Sequence, residues 1–281
     1  MSTAARRPRQ ASTVAVRGRK LAVTHHPGAA GRVPLVLCNG IGSSQRLFDP
    51  VVGALDRDRP LILFDVPGLG GSAAPRVPYL FSTLAAALHR VIAGFGYRSA
   101  DVLGISWGGG LAQQYAFQYR RRCRRLVLVA TGTGMLMVPA APRTLARMST
   151  PRRHRDPAYA ERIAGDLYGG SARLDPARTI SALHNAPTAT PRRAYLYQLM
   201  AIAGWSSLPF LPLIRQPALV LAGTDDPIIP PVNASMMAGL LPRGRLHRYD
   251  GGHLALLTEA GELAPVIDSF LDEDGDERSE R

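Results

Sequence analysis

The sequence predicts an α/β protein, a mostly parallel, doubly wound sheet with an inserted helical cap. Three observations point there. Apolar runs of strand length recur without the polar alternation of a half-exposed sheet, as parallel strands covered on both faces require. Segments with one apolar face at helical spacing lie between those runs. The alternation then lapses between about residues 134 and 212, a stretch rich in Met, Arg and Pro with no strand signal.

In chain order, residues 1–11 are polar and basic and are expected to form a disordered tail. Residues 13–16 and 20–24 suit an antiparallel hairpin at the sheet edge, turning through Arg17-Gly18-Arg19. Parallel strands are expected at 35–38, 61–64, 102–105, 126–130 and 219–222, with a further strand-like run at 245–249. Leu84, Leu88, Val91, Ile92 and Phe95 share one helix face; so do Leu111, Tyr115 and Tyr119; so do Leu263, Val266, Ile267, Phe270 and Leu271. Helix-like pieces near 159–167 and 193–203 occupy the insertion. The expected organisation is a core of residues 12–133 and 213–271, a cap of residues 134–212 over the carboxyl edge of the sheet, and an acidic tail at 272–281.

Composition excludes several classes. With 46% hydrophobic and 20% charged residues the chain can bury a real core, so wholesale disorder is ruled out. No apolar stretch suits a membrane span; the nearest, residues 199–214, is broken by Pro209 and Pro212. Arg6, Arg7 and Arg9 have no apolar run behind them, so no secretory or twin-arginine leader is expected and the protein is placed in the cytoplasm. Cys38 and Cys123 are too few for a disulfide framework and lie in apolar surroundings, which suits buried thiols rather than a metal site. The net charge of +13 raises nucleic acid as a partner, but all of the 34 basic residues except Lys20 are Arg. That bias fits a GC-rich coding sequence better than selection for phosphate contacts, and no nucleic acid is expected. A basic exterior suits an anionic surface instead, such as the lipid of a storage granule.

The strongest chemical signal is Gly104-Ile105-Ser106-Trp107-Gly108, between a strand and a helix. A tight strand–turn–helix needs small residues two before and two after the serine, and it raises the hydroxyl at a helix N-terminus, where the dipole favours a developing anion. Ser106 is therefore the expected nucleophile. A serine needs a histidine base, and that base needs an acid to fix its tautomer. After such a nucleophile the acid comes first in the chain and the histidine last. Strand 219–222 runs into Gly223-Thr224-Asp225-Asp226-Pro227-Ile228-Ile229-Pro230, where the spacing Gly-x-x-Asp-x-x-x-Pro selects Asp226 over Asp225. His253 follows strand 245–249 and precedes the last helix. His25, His26 and His89 precede the serine, His247 lies in a strand-like run, and His154 and His184 sit in the cap. Asp250, three residues from His253, reads as a turn former.

The loop Asn39-Gly40-Ile41-Gly42 after strand 35–38 resembles the His-Gly loop of lipases with Asn in place of His. The N–H groups of Ile41 and Trp107 are the expected oxyanion donors. Residues 65–72 contain Gly68, Gly70 and Gly71 but match neither phosphate-binding glycine pattern, and read as a structural loop. Trp followed by Gly after the nucleophile is reminiscent of haloalkane dehalogenases and epoxide hydrolases, which carry aspartate where Ser106 stands. Serine attacks a carbonyl, so acyl-ester hydrolysis is expected. Met135, Leu136, Met137, Val138, Met148, Met200, Trp205, Phe210 and Leu211 could line an apolar channel in the cap; Met137, Val138, Met200 and Trp205 are the expected substrate contacts. Arg152, Arg153 and Arg155 and the cluster at 120–125 read as solvated faces.

Taken together, the chain resembles the intracellular depolymerases of medium-chain-length polyhydroxyalkanoates, which are α/β-hydrolases. The matching segments are Cys38-Asn39-Gly40-Ile41-Gly42, Phe64-Asp65-Val66-Pro67-Gly68 with Gly70-Gly71-Ser72, the run GISWGGGLAQQ at 104–114, and residues 123–129, 219–230 and 252–254. Met137-Val138-Pro139, Ser149-Thr150-Pro151-Arg152-Arg153 and Tyr168-Gly169-Gly170 in the cap also look familial. The resemblance covers residues 12 to 271. It implies an α/β-hydrolase fold, Ser106, Asp226 and His253 as nucleophile, acid and base, and hydrolysis of 3-hydroxyacyl esters at granules without metal or cofactor. The alternatives are a general carboxylesterase or lipase and a non-catalytic granule-binding protein. Oligomeric state cannot be read from the chain.

Overall fold

The computed structural model describes residues 7–16, 18–184 and 190–273. An edge hairpin, β1 (Gln10–Val16) and β2 (Arg19–His26), leads into β3 (Leu35–Cys38), α1 (Asp49–Ala54) and β4 (Leu61–Phe64). Next come α2 (Phe81–Gly94), β5 (Ala100–Ile105), α3 (Trp107–Gln118) and β6 (Cys123–Val129). Among the described residues, five α-helices follow without a strand: α4 (Pro142–Met148), α5 (Pro157–Tyr168), α6 (Ser171–Leu174), α7 (Pro176–His184) and α8 (Arg192–Ala203). The sheet resumes with β7 (Ala218–Gly223), α9 (Val232–Leu240) and β8 (Gly244–Tyr249), and the chain closes with α10 (Ala255–Thr258) and α11 (Ala260–Asp272).

The eight strands lie in the order β1-β2-β4-β3-β5-β6-β7-β8. The strands from β4 to β8 run parallel, and the hairpin closes the other edge antiparallel. This is the expected doubly wound sheet. Its apolar runs are explained by two separate cores, because alternate residues of one strand feed opposite faces. Val36, Val102 and Val220 pack with Leu84, Leu88, Leu111 and Met237 on one side. Leu35, Leu37, Leu103 and Leu221 pack with Leu263, Ile267 and Phe270 on the other. Both cysteines are buried free thiols.

The hairpin is longer than expected. Gln10 pairs opposite His25, so β1 begins inside the stretch read as disordered. His26 Nδ1 lies 2.7 Å from the Pro8 carbonyl and the Arg7 guanidinium donates to the Asp56 carbonyl at 2.8 Å, which draws the segment onto the sheet edge. The remainder of that tail, Arg17 in the turn, and residues 274–281 of the acidic tail fall outside the described residues.

The two acids that open that tail are bound in place. Arg59, 1% exposed, donates to Asp268 at 3.0 Å and Asp272 at 2.8 Å, while Arg32 pairs with Asp272 at 2.5 Å and also with Asp56. Glu273 pairs with Arg245 at 2.6 Å. Burial acts to raise the Asp272 carboxyl, but the Arg59 and Arg32 guanidinium groups hold it below its ordinary value of 3.8. A carboxyl depressed in the folded state stabilises fully above its unfolded value and loses that contribution as pH falls through its folded value. Asp272→Asn should therefore lower the urea midpoint at pH 7, and the deficit should shrink as pH drops below the ordinary carboxylate range. Urea melts at pH 7 and pH 3 check this; a deficit equal at both would place its origin elsewhere than in the charge.

Candidate active site

The sheet order reverses between β3 and β5: the chain leaves β3 towards β4 on one side and continues from β5 on the other. In doubly wound sheets the crevice at such a reversal lies beyond the strand carboxyl ends. Cys38 is in register with Gly104, so the loop after β3 and the turn after β5 emerge side by side there.

Ser106 occupies the turn with φ +53° and ψ −122°, a backbone conformation that non-glycine residues rarely adopt. Three hydrogen bonds impose it: Ser106 N–H donates to Val129 O at 2.9 Å, and Ser106 O accepts from Gly109 N–H at 2.9 Å and from Thr131 Oγ1 at 2.7 Å. The flanking glycines are required by space. A Cβ on Gly104 would stand 2.3 Å from Gly108 O, and one on Gly108 would stand 2.1 Å from Cys38 O. The motif's spacing is thus what lets α3 start directly against β3 and β5.

His253 Nε2 lies 3.0 Å from Ser106 Oγ, and its Nδ1 lies 2.8 Å from Asp226 Oδ2. The other Asp226 oxygen accepts from the Ile228 and Ile229 N–H groups at 2.8 and 2.9 Å. An anionic Asp226 accepts from Nδ1–H, which leaves the Nε2 lone pair for the serine proton. Both partners are nearly enclosed, His253 at 4% and Asp226 at 6% exposure. The neighbouring Asp225 faces away, held by Arg173 at 2.7 Å and by Gly170 N–H at 2.7 Å. These bonds hold the Asp225 carboxyl below its ordinary value, the Arg173 hydrogen bond most of all. Asp250 accepts from Thr224 Oγ1 at 3.2 Å, in keeping with a turn residue.

Gly40 and Ile41 line the cavity around Ser106, and Trp107 follows it at the start of α3. Among the described residues, neither the Ile41 nor the Trp107 backbone N–H is taken up by a protein acceptor. Both loops are anchored by Gln198 of α8: its Oε1 accepts from Gly42 N–H at 2.8 Å, and its carbonyl accepts from Trp107 Nε1 at 2.9 Å. The helical insertion also reaches His253 and the neighbour of Asp226. His253 N–H donates to Tyr168 O at 2.7 Å, two residues before Gly170 grips Asp225.

Two compartments meet at Ser106. One, of about 290 Å³, is walled by Trp107, Met135, Met137, Met148, Leu199 and Ile202. The other, of about 40 Å³, holds His253, Arg153, His154 and Tyr168. Of the expected substrate contacts, Met137 lines the larger compartment and the other three do not. Spacing on α8 turns Leu199 and Ile202 to the cavity and leaves Met200 exposed. Val138 is exposed, its N–H bound by Asn233 Oδ1 at 2.8 Å. Trp205 stacks edge-on against Phe81 and donates to Gln114 Oε1 at 2.8 Å. Leu211 belongs to the sheet core.

Residues 65–72 form the structural loop expected of them. Asp65 is buried and accepts from Gln45 N–H at 2.7 Å and Gly71 N–H at 3.0 Å. Gln198, Thr131, Tyr168 and Arg153 were not picked out as site residues by sequence reasoning; only the Tyr-Gly-Gly and Thr-Pro-Arg-Arg segments around two of them carried a signal. Arg153 corrects an expectation outright, being 3% exposed rather than solvated. Among the described residues no cluster of three or more His, Cys, Asp or Glu side chains could hold a metal ion, and no helix is long and apolar enough to cross a membrane.

The model of the α/β hydrolase fold family matches residues 33–260. A poly(3-hydroxyalkanoate) depolymerase from Ectopseudomonas oleovorans is 42% identical over 262 residues, covering 93% of this chain and 92% of the relative. Among solved structures, an enol-lactonase from Burkholderia xenovorans LB400 superposes with a TM-score of 0.80 at 22% identity, covering 93% of this chain and 100% of the other. An esterase from Thermogutta terrifontis superposes at 0.76 and 23%, covering 94% and 98%. At such identities these two structures speak to the fold alone.

Proposed function

Because the chain belongs to the α/β-hydrolase family, and within it to the family of the poly(3-hydroxyalkanoate) depolymerase, we propose that it cleaves the ester bonds of poly(3-hydroxyalkanoate) through an acyl-enzyme on Ser106. The observation that carries this reading is the chain of hydrogen bonds from Ser106 to His253 to Asp226 at the mouth of a 290 Å³ apolar compartment.

His253 takes the Ser106 proton as Oγ bonds to the ester carbonyl carbon, and Asp226 stabilises the imidazolium. The Ile41 and Trp107 N–H groups receive the oxyanion. Collapse breaks the carbon–oxygen ester bond, and the leaving alkoxide takes the proton from His253. Water then repeats the sequence, its proton passing to His253 and then to Ser106, and a 3-hydroxyalkanoate or oligomer departs.

The flexible methionines Met135, Met137 and Met148 suit alkyl side chains of varied length. Met135 and Leu145 line the compartment and are also exposed; Leu136, Val138 and Met200 are exposed without lining it, the first two close to Met135 in sequence and Met200 next to the lining residue Leu199 on α8. Such an apolar rim suits an amorphous polyester surface, and we place the protein at storage granules in the cytoplasm, with α4 to α8 acting as the cap.

The test is release of 3-hydroxy acids, quantified by chromatography, from amorphous medium-chain polyhydroxyalkanoate granules. Release by the parent protein and none by Ser106→Ala is the expected result. No release from granules, with p-nitrophenyl esters still cleaved, would move the assignment to a small-ester hydrolase. A protein that neither cleaves esters nor reacts with a fluorophosphonate probe would be a binding protein on a hydrolase fold.

A further inference from the structure

Arg153 stands in the small compartment beside Ser106 and His253, yet it is nearly excluded from bulk solvent. No aspartate or glutamate pairs with it among the described residues; its neighbour Arg152, on the surface, has Asp156 at 3.3 Å. Its surroundings are neutral. It donates to Thr150 O at 3.3 Å and lies over the Tyr195 ring, 5.5 Å from the centroid. Tyr168 and Tyr195 are the other polar groups that meet it, and burial pushes both phenols up, so neither supplies a phenolate at neutral pH. The Tyr195 hydroxyl spends its own proton on Met148 O at 2.5 Å.

Burial works against the Arg153 charge and the Tyr168 and Tyr195 hydroxyls support it, but no carboxylate among the described residues neutralises it. Guanidinium offers five donors in a planar fork matched to a carboxylate; the Thr150 carbonyl and the Tyr168 and Tyr195 hydroxyls engage it from the protein side, and none of them brings a negative charge. The compartment's 40 Å³ holds about three water-sized positions, the bulk of a carboxymethyl group and too little for a long alkyl chain. The apolar compartment on the other side of Ser106 has the room for alkyl groups.

We propose that Arg153 binds the free carboxylate of the leaving 3-hydroxy acid, so that the enzyme cleaves the last ester at the carboxyl end of a polyester chain. The proposal rests on the ester-hydrolase reading above. In that orientation the acyl portion lies in the Met-lined compartment, and the leaving unit's –CH2–COO⁻ arm points at the guanidinium. Each cycle then releases one monomer and leaves a new carboxyl end in its place.

A 3-hydroxyoctanoate dimer and its methyl ester at the free carboxyl test it. The methyl ester is the more apolar of the two, so burial alone favours it. A charge-assisted pair should instead favour the acid by about 10- to 100-fold in kcat/KM. Arg153→Met should abolish that preference, read as the ratio of acid to methyl-ester kcat/KM within the variant, and Arg153→Lys should retain part of it. Equal rates for acid and methyl ester by the parent protein would overturn the proposal and leave the hydrolase reading intact, with Arg153 a brace between Tyr168 and Tyr195. A second readout does not depend on turnover or on the Arg153 variants folding. Calorimetric binding to Ser106→Ala should be at least about tenfold tighter for the acid dimer than for its methyl ester; equal binding would also overturn it.

Discussion

Ser106→Ala should lower ester turnover by roughly six orders of magnitude, the loss seen when the nucleophile of another serine triad is removed. Little besides the hydroxyl changes, since the turn is held through the Ser106 backbone, by the Val129 carbonyl, the Gly109 N–H and the Thr131 hydroxyl. The variant keeps the β-carbon and with it the strain of a positive φ. Ser106→Gly relieves that strain, so it should be equally inactive yet more stable, by on the order of 1 kcal/mol. Initial rates on p-nitrophenyl octanoate, set beside urea melts, test both statements. Residual activity within a factor of about 100 of the parent would exclude Ser106 as the nucleophile. A glycine variant no more stable than the alanine variant would show that the turn is not strained.

Asp226→Asn should cost about 10⁴-fold in kcat, because an amide in that place donates to Nδ1 and leaves the proton on Nε2, where the base needs a lone pair. The backbone N–H groups of Ile228 and Ile229 already claim one oxygen of this side chain. They set the amide oxygen on their own side and turn its NH2 to the histidine. The adjacent Asp225→Asn serves as the control. Its pair with Arg173 is half exposed on both sides and worth about 0–1 kcal/mol, so it should lose little activity. If the Asp225 variant were the inactive one, the assignment of the acid by spacing and geometry would both be wrong.

What could be read from the chain was whatever local sterics dictate. The glycines at 104 and 108 announce a serine turn because no side chain fits between α3, β3 and β5. The apolar runs announce covered parallel strands because both faces of the sheet are packed. Asp226 was legible from its distance to Gly223 and Pro230. Arg153 was not, since Arg152-Arg153-His154-Arg155 carries the same charge pattern on a solvated face or folded inward. Tyr168 and Tyr195, far along the chain, decide which. Met200, Val138 and Trp205 failed as cavity residues for a related reason: apolar character marks what can be buried, whereas helix phase and loop anchors select which side chains face the cavity. Gln198 had no local signature, because its role is to tie two loops from different strands to α8.

The grip of residues 168–170 on the loops that carry Asp226 and His253 bears on how such enzymes can be re-engineered. Inserted helices invite treatment as an exchangeable module, to be transplanted whole when a different substrate range is wanted. Here the Tyr168 carbonyl is a ligand of the His253 backbone, and Gly170 holds the residue next to Asp226. A transplant that omits these two contacts would alter chemistry as well as selectivity, and its kcat would fall even on substrates small enough to ignore the new pocket. Chimaeras joined outside residues 168–170, with this tripeptide kept from the recipient, are the ones expected to work.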